Sequence, residues 1–405
     1  MAKTKKMTET PIVSVLSSDY KLLVTDNGGK VSRYDGNVGA GKMVSSKGEI
    51  FNSYSGIYTN IAEGVFSHAE GWNTKALKNQ AHAEGETTRA VSPNSHAEGK
   101  ETVAGNADNI NISCCHAEGW KTTASGFNAH SEGAETVASG DTSHASGGKT
   151  IASGNYSSTF GFGTHAKNYC QFAIGVFNKA DGTITSDRLD VNKPALSIGN
   201  GTQSSRGDAF RVLFGGSTQA DGAYTTPAAD YAEMFEWADG NPQNEDRVGF
   251  FVEIDGEKVR KATSKSKNIV GVVSANPAII GDNPLRWNGE YATDEWGRRL
   301  TEEVVTEYEE PINENGVFRM IKKTRVDIVF KRSSDFRNDE EYTERTERKE
   351  WSAIGMLGKL LIRQDGSLKV GSYCTSNNEG IATDAKSGYY VMKVVSPTQA
   401  LILVK

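Results

Sequence analysis

Two sets of residues in this 405-residue sequence have types and spacings that could support chemistry. The first is Asp230-Tyr231-Ala232-Glu233-Met234-Phe235-Glu236-Trp237, with Asp239 just behind it. Carboxylates three residues apart lie on one side of a helical turn, or close together at a bend, where they can share a proton. Such a pair holds one pKa up and the other down, which lets one group act as acid and the other as base in amide hydrolysis. The same spacing is common among solvated surface acids, so spacing by itself leaves that reading open. The second set is His68, His82, His96, His116, His130 and His144, with Glu70, Glu84, Glu98, Glu118 and Glu132 two residues after the first five. Identical positions in stacked strands repeat at about 4.8 Å. A zinc site instead needs three or four ligands converging at about 2.0–2.1 Å. The spacing therefore favours His–Glu pairing along or between chains, with no metal and no cofactor, and a structure that loosens when these groups change protonation.

The histidines lie on an internal repeat, which dictates how the whole chain is read. His-Ala/Ser-Glu-Gly and its degenerate forms recur every 14 residues from His68 to Phe172, apart from one six-residue insertion before His116, around Asn106 to Ile112. Eight residues after each histidine slot stands an alanine, from Ala76 to Ala180. Glycine ends the first half of every unit, from Gly71 to Gly175, as a backbone needing positive φ would require. Thr74, Thr88, Thr102, Thr122, Thr136, Thr150 and Thr164 fill a further fixed slot, and threonine favours extended structure. A helix with glycine in every second heptad is excluded. Each unit is instead predicted to be one coil of a parallel β-roll, two short strands and two turns, with small residues inside. So thin a roll buries little apolar area, and association of identical chains as a cyclic trimer is the expected remedy.

This array, over residues 58 to 182, resembles the head repeats of trimeric autotransporter adhesins and the related rods of phage tail fibres. The resemblance implies a left-handed parallel β-roll, three chains to a rod, and a scaffold or adhesive function.

Composition narrows the class. A net charge of −6 gives no reason to expect nucleic-acid binding, and 43 glycines against 9 prolines fit turn-rich β structure. The basic start Met1 to Thr10 has no apolar stretch after it and no run of 18 apolar residues occurs, so neither a signal peptide nor a membrane span is expected. That disfavours a bacterial surface adhesin. Cys114, Cys115, Cys170 and Cys374 have no metal-ligand spacing and are expected to be free and mostly buried thiols.

Four regions are predicted. Residues 1–45 hold a hairpin around Asn27-Gly28-Gly29 and form either a virion-attachment segment or a cap on the roll. Residues 46–182 are the rod. Residues 183–228 are a stem with strands at Pro194 to Thr202 and Asp208 to Gly216. Residues 229–405 are a globular β-rich (α+β) domain, with strands at Val248 to Ile254, Ile269 to Ser274, Tyr389 to Val395 and Ala400 to Lys405. The charged stretch Asp335 to Glu350 is read as a solvated loop or face.

Asp230 to Trp237, together with Ile269 to Pro277, Asp294 to Arg298, Arg348 to Trp351, Ile354 to Lys359 and Glu379 to Thr383, resembles the self-cleaving C-terminal intramolecular chaperone domain of phage pre-neck appendage and tail-spike proteins. The resemblance implies a domain that trimerises, guides fibre assembly and then cuts the chain at its own N-terminal edge. Matched by motif, the catalytic residues are Asp230 and Glu233, and the cleavage region is Ala228, Ala229 and Asp230. That family commonly carries Ser-Gly-Ala ahead of the motif, where this chain has Pro227-Ala228-Ala229. Thr225 and Thr226 are the nearest hydroxyls for an N-to-O acyl shift, which ranks below the carboxylate route. The expected protein is therefore an all-β, homotrimeric phage fibre or appendage, carried on the virion tail and bound to a host-surface receptor. Its partners would include a tail or baseplate component, with no nucleic acid and no membrane insertion. A polysaccharide-degrading spike is the alternative, opposed by repeats too regular to house a cleft with paired carboxylates.

Overall fold

The computed structural model describes residues 22–25, 31–34, 60–109, 111–180, 184–286, 289–314, 317–337 and 341–405. Among these there is no α-helix, only one 3-10 turn at Arg345–Glu347. Near the N-terminus, Leu22–Thr25 pairs antiparallel with Val31–Tyr34, forming the expected hairpin; the Asn27-Gly28-Gly29 turn lies outside the described residues. The chain divides into two compact units, residues 1–222 with 301–330, and residues 223–300 with 331–405.

In the first unit each repeat makes one coil with a five-residue strand, such as His116–Trp120, and a two-residue strand, such as Thr123–Ala124. Long strands stack parallel and in register, His on His and Gly on Gly, while short strands build a second parallel sheet. Alternation along the long strand turns Ala69, Ala83, Ala97, Ala117 and Ala145 inward, where they meet the eight-residue-later alanines Ala76 to Ala152 in one buried core. Each coil has corners in the left-handed region. Non-glycine residues such as Asn73, Glu101 and Lys121 adopt φ of 55–57° there, whereas the repeat glycines sit at φ of 91–109°. The first value is open to L residues and the second is not, which is why one slot varies and the other stays glycine. A Cβ on Gly119 would stand 2.2 Å from the carbonyl oxygen of Gly133 in the next coil.

The six-residue insertion is accommodated without breaking register, since His96 pairs with His116, and Ile112 tucks into the core. At the far end Pro194–Asn200 adds one more parallel strand. Asp208–Leu213 and Thr218–Ala220 then reverse direction and finish the sheet antiparallel, covering an otherwise open edge. Arg206 donates to the carbonyls of Gly163 and Asn178 at 2.8 and 3.2 Å and lies 3.0 Å from His165 Nε2.

The first unit also contains a long hairpin, Thr301–Glu314 paired with Val317–Phe330 over 14 residues each, inserted within the sequence of the C-terminal domain. The sequence reading assigned these residues to the globular domain. The hairpin's strands are strongly charged, and its more buried side carries Thr306, Tyr308, Arg325 and Asp327 in place of apolar residues, so the apolar alternation that marks a buried-face strand is absent.

In the second unit the sheet runs Lys258–Lys261, Phe251–Asp255, Ile269–Val273, Trp351–Arg363, Gln399–Val404, Tyr389–Ser396, Tyr373–Ser376 and Ala382–Ala385. Asp230–Glu236 pairs antiparallel with the first half of Trp351–Arg363 and parallel with Ile279–Gly281. Two cores lie against the sheet. One is built around Phe251, Ile362 and Ile402, the other around the fully buried Trp237, whose Nε1 donates to Ser352 Oγ at 2.9 Å.

Two expectations need correcting. Cys114 and Cys170 are exposed, because each occupies a left-handed corner that turns its side chain outward; Cys115 and Cys374 are buried, and burial pushes both thiols up to about 12. The charged stretch before Trp351 is not wholly solvated. Arg345 is buried, with its guanidinium 3.9 Å from the Trp351 ring centre and 2.6 Å from an Asp282 carboxylate oxygen, so an aromatic face and an ion pair replace its water.

Candidate active site

Residues 216–227 form an exposed stretch, and Asp230 is the first buried residue after it. Ala229 is exposed, so the Ala229–Asp230 peptide bond marks the boundary between solvent and packed sheet. Asp230–Glu236 is a β-strand, not the helical turn or bend that an acid pair at this spacing would need. Side chains alternate along it. Asp230, Ala232 and Met234 are buried, while Tyr231 and Glu233 lie on the opposite face, so one chain does not bring the two carboxylates together.

Asp230 is 6% exposed and its Oδ2 has no hydrogen-bond partner among the described residues. Burial pushes its carboxyl above the usual range, against the pull of the Ser274 hydroxyl. Two glycines make room for it. A Cβ on Gly358, at φ +114°, would stand 2.2 Å from the Ala229 carbonyl oxygen, and one on Gly355 would stand 2.9 Å from Asp230 Oδ2. The Asp230 carbonyl accepts the Ala278 N–H at 2.8 Å, which pins the backbone on the C-terminal side of the boundary. Glu233 Oε1 accepts the Tyr231 hydroxyl at 2.6 Å beside Gly281.

A cavity of about 920 Å³ opens at Ala229 and Asp230, lined also by Ser274, Asn276, Lys359 and Glu379. Sequence reasoning assigned no role to these four, although each falls in a block that carried the family resemblance. Those blocks, distant in sequence, converge on one cavity.

The histidine column of the rod is a stack. From His82 to His144 ring centres are 4.7–4.9 Å apart with interplanar angles of 5–12°, and only His68 on His82 is edge-on. Each Nε2 lies 3.3–3.9 Å from a carboxylate in His68–Glu70, His82–Glu84, His96–Glu98 and His116–Glu118. Four groups place three candidate ligand atoms within 4.8 Å of one another: His68, Glu70 and His82; Glu84, His96 and Glu98; Glu98, His116 and Glu118; and His130, Glu132 and His144. In the stacked pair His130–His144 the parallel rings aim their nitrogens side by side, whereas two nitrogens on tetrahedral zinc would close to roughly 3.3 Å. The glutamates also bond to one another. Hydrogen bonding to Glu118, and next to Glu84, raises the Glu98 carboxyl to about 7.

A β-roll followed by a β-sheet domain whose first strand buries a raised carboxyl at an exposed chain boundary defines a two-part, all-β architecture. Residues 181–400 match the Peptidase_G2, IMC autoproteolytic cleavage domain, and the chain belongs to that family. It is 32% identical over 173 residues to the pre-neck appendage protein of Bacillus phage B103, covering 42% of this chain and 18% of that protein. The pre-neck appendage protein of Bacillus phage phi29 is 31% identical over 173 residues, covering 42% of this chain and 17% of that one. A putative phage-related protein, YobO of Bacillus subtilis, is 30% identical over 223 residues, covering 54% of this chain and 25% of that protein. This chain thus spans less than a fifth of the length of the two phage proteins. Its fold is similar to the crystal structure of the pre-mature bacteriophage phi29 gene product 12, with a TM-score of 0.52 at 18% identity over 85% of this chain and 39% of that one.

Proposed function

We propose that this chain is a structural component of a phage tail appendage or fibre, assembled as a homotrimer, whose C-terminal domain guides assembly and then cuts the chain at the Ala229–Asp230 boundary. The burial of Asp230 one residue after an exposed connector carries this reading. Burial favours the protonated form of the Asp230 carboxyl, so Asp230 is assigned the acid and Glu233 the base. A water oxygen adds to the Ala229 carbonyl carbon and gives its proton to Glu233. The C–N bond then breaks as the Asp230 nitrogen takes the proton of the acid, and the new carboxylic acid gives its remaining proton back to the Asp230 side chain, which leaves a carboxylate and an amine. Because Asp230 and Glu233 occupy opposite faces of one strand, the working pair is Asp230 of one chain with Glu233 of a neighbour, and cleavage waits for association. Once cut, the rod's persistence is a rate and not an equilibrium. The rod displays a host-surface binding face, and residues 1–45 attach to a virion tail component or cap the roll.

The test uses mixed assemblies. Asp230→Asn and Glu233→Ala chains, each uncut alone, regain cleavage when co-assembled if the pair forms between chains. Full-rate cleavage in a monomeric preparation would overturn the between-chain arrangement.

A further inference from the structure

The histidine and glutamate columns of the rod hold donor atoms that their own contacts leave unused. His96 Nε2 stands between two carboxylates, 3.8 Å from Glu84 Oε1 and 3.8 Å from Glu98 Oε2. One coil further on, His116 Nε2 is 3.9 Å from Glu118 Oε2, and Glu98 completes a second group of three with these two. Both nitrogens are buried and have no hydrogen-bond partner among the described residues. The gaps are too long for a hydrogen bond, which brings N to O at about 2.7–3.2 Å. They fit an ion, because two donors each about 2.1 Å from one metal stand up to roughly 4.2 Å apart.

Solvent reaches the oxygens. The Glu84, Glu98 and Glu118 side chains are 34, 34 and 33% exposed, and a groove of about 460 Å³ is lined by Glu70, Glu84, Glu98 and the repeat glycines. In-register stacking sets Glu98 on Glu118 as it sets His96 on His116, so the carboxylate charges crowd unless a positive charge lies among them. The spacing argument against a metal concerned a ladder of nitrogens. These two groups escape it, since each offers one imidazole nitrogen and two carboxylate oxygens and no pair of stacked rings has to converge.

We infer that Glu84, His96 and Glu98, and likewise Glu98, His116 and Glu118, each bind a divalent first-row transition cation, with Glu98 shared between the two sites. An imidazole nitrogen beside carboxylate oxygens and water suits zinc, cobalt or nickel, whereas calcium and magnesium prefer shells of oxygen alone. Together the sites span three successive coils, including the His96–His116 junction where six extra residues interrupt the repeat. The cations cross-link the rod where its regularity is broken. Because the ligands come together only in the folded rod, binding stabilises it by mass action.

The test uses the untagged full chain, stripped with a chelator and dialysed against Co²⁺, with bound metal counted per chain by elemental analysis. Glu98→Gln is expected to bind two fewer ions than the parent, and His96→Gln and His116→Gln one fewer each. His130→Gln removes a ring from the same stack but leaves both groups intact, and is expected to bind as many ions as the parent. With free Co²⁺ at 100 times its dissociation constant, the parent's unfolding constant should fall about a hundredfold, and Glu98→Gln should lose most of that protection. If Glu98→Gln does not fold, the two single-histidine variants supply the same count. A parent that binds no Co²⁺, or a Glu98→Gln chain that binds as many ions as the parent, would overturn the proposal. So would an equal fall in His130→Gln, which would assign the effect to the stack as a whole. Displacement of Co²⁺ by an equal concentration of Ca²⁺ would also overturn it, since the imidazole would then have no part.

Discussion

Replacing Gly119 by alanine tests the rod's geometry at one atom. Gly119 has φ +101°, and a Cβ there would meet the Gly133 carbonyl oxygen at 2.2 Å. That oxygen is backbone in the next coil and cannot rotate away, so either the strand spacing opens or the corner changes conformation. The forbidden φ costs about 1–3 kcal/mol. Overpacking against a fixed backbone adds about 1–3 kcal/mol. The sum, roughly 2–6 kcal/mol, corresponds to a fall in Tm of roughly 5–20 °C for a unit of this size. Gly222→Ala is the control, since no atom lies within 4 Å of its Cβ position and its φ is ordinary. Circular dichroism melts of both variants and the parent decide the matter. A Tm for Gly119→Ala that matches Gly222→Ala would refute the close stacking of coils.

Three further outcomes are expected. Glu98, raised to about 7 by its neighbours, contributes stability that is complete below its unfolded pKa of 4.5 and is lost as pH rises through 7. The stability difference between the parent and Glu98→Gln, from urea unfolding at several pH values, should therefore shrink between about pH 4.5 and 7; a difference that grows would contradict the shared-proton column. His96 and His130, lowered chiefly by burial, act in the opposite sense: their contribution is complete above 6.5 and is lost as pH falls, so His96→Gln should lessen acid sensitivity in the same titration. Trp237→Ala, which empties a fully buried site and strands the Ser352 hydroxyl, should cost about 3–5 kcal/mol in urea unfolding of the C-terminal unit.

The rod was legible because its repeat carries two independent periodicities, alanine every seven or so residues and glycine every fourteen, and each maps onto one physical requirement: a narrow interior and a corner forbidden to L side chains. The core strands of the second unit were legible for the usual reasons, alternation over a buried face at Gln399–Val404 and a short β-branched apolar run at Ile269–Val273. The acid pair was only half legible. Its residue types pointed to chemistry, but the three-residue spacing was read on a helical turn, and on a strand the same spacing separates Asp230 from Glu233 onto opposite faces. Ser274, Gly358 and Lys359 reach Asp230 only through sheet pairing of segments far apart in sequence, which no local pattern encodes. The hairpin Thr301–Phe330 was hidden by its own chemistry, because acidic Thr301–Glu314 faces basic Val317–Phe330 and its more buried side is polar, with Thr306, Arg325 and Asp327.

Intact mass of freshly purified chains, denatured and native in parallel, tests the self-cleavage reading most directly. The account predicts two polypeptides meeting at Ala229–Asp230 in the parent, and a single 43.7 kDa chain in Glu233→Ala and in Asp230→Asn. A native parent trimer made of uncut chains would contradict it, and would mean that Pro227-Ala228-Ala229 holds the bond beyond the reach of the acid pair.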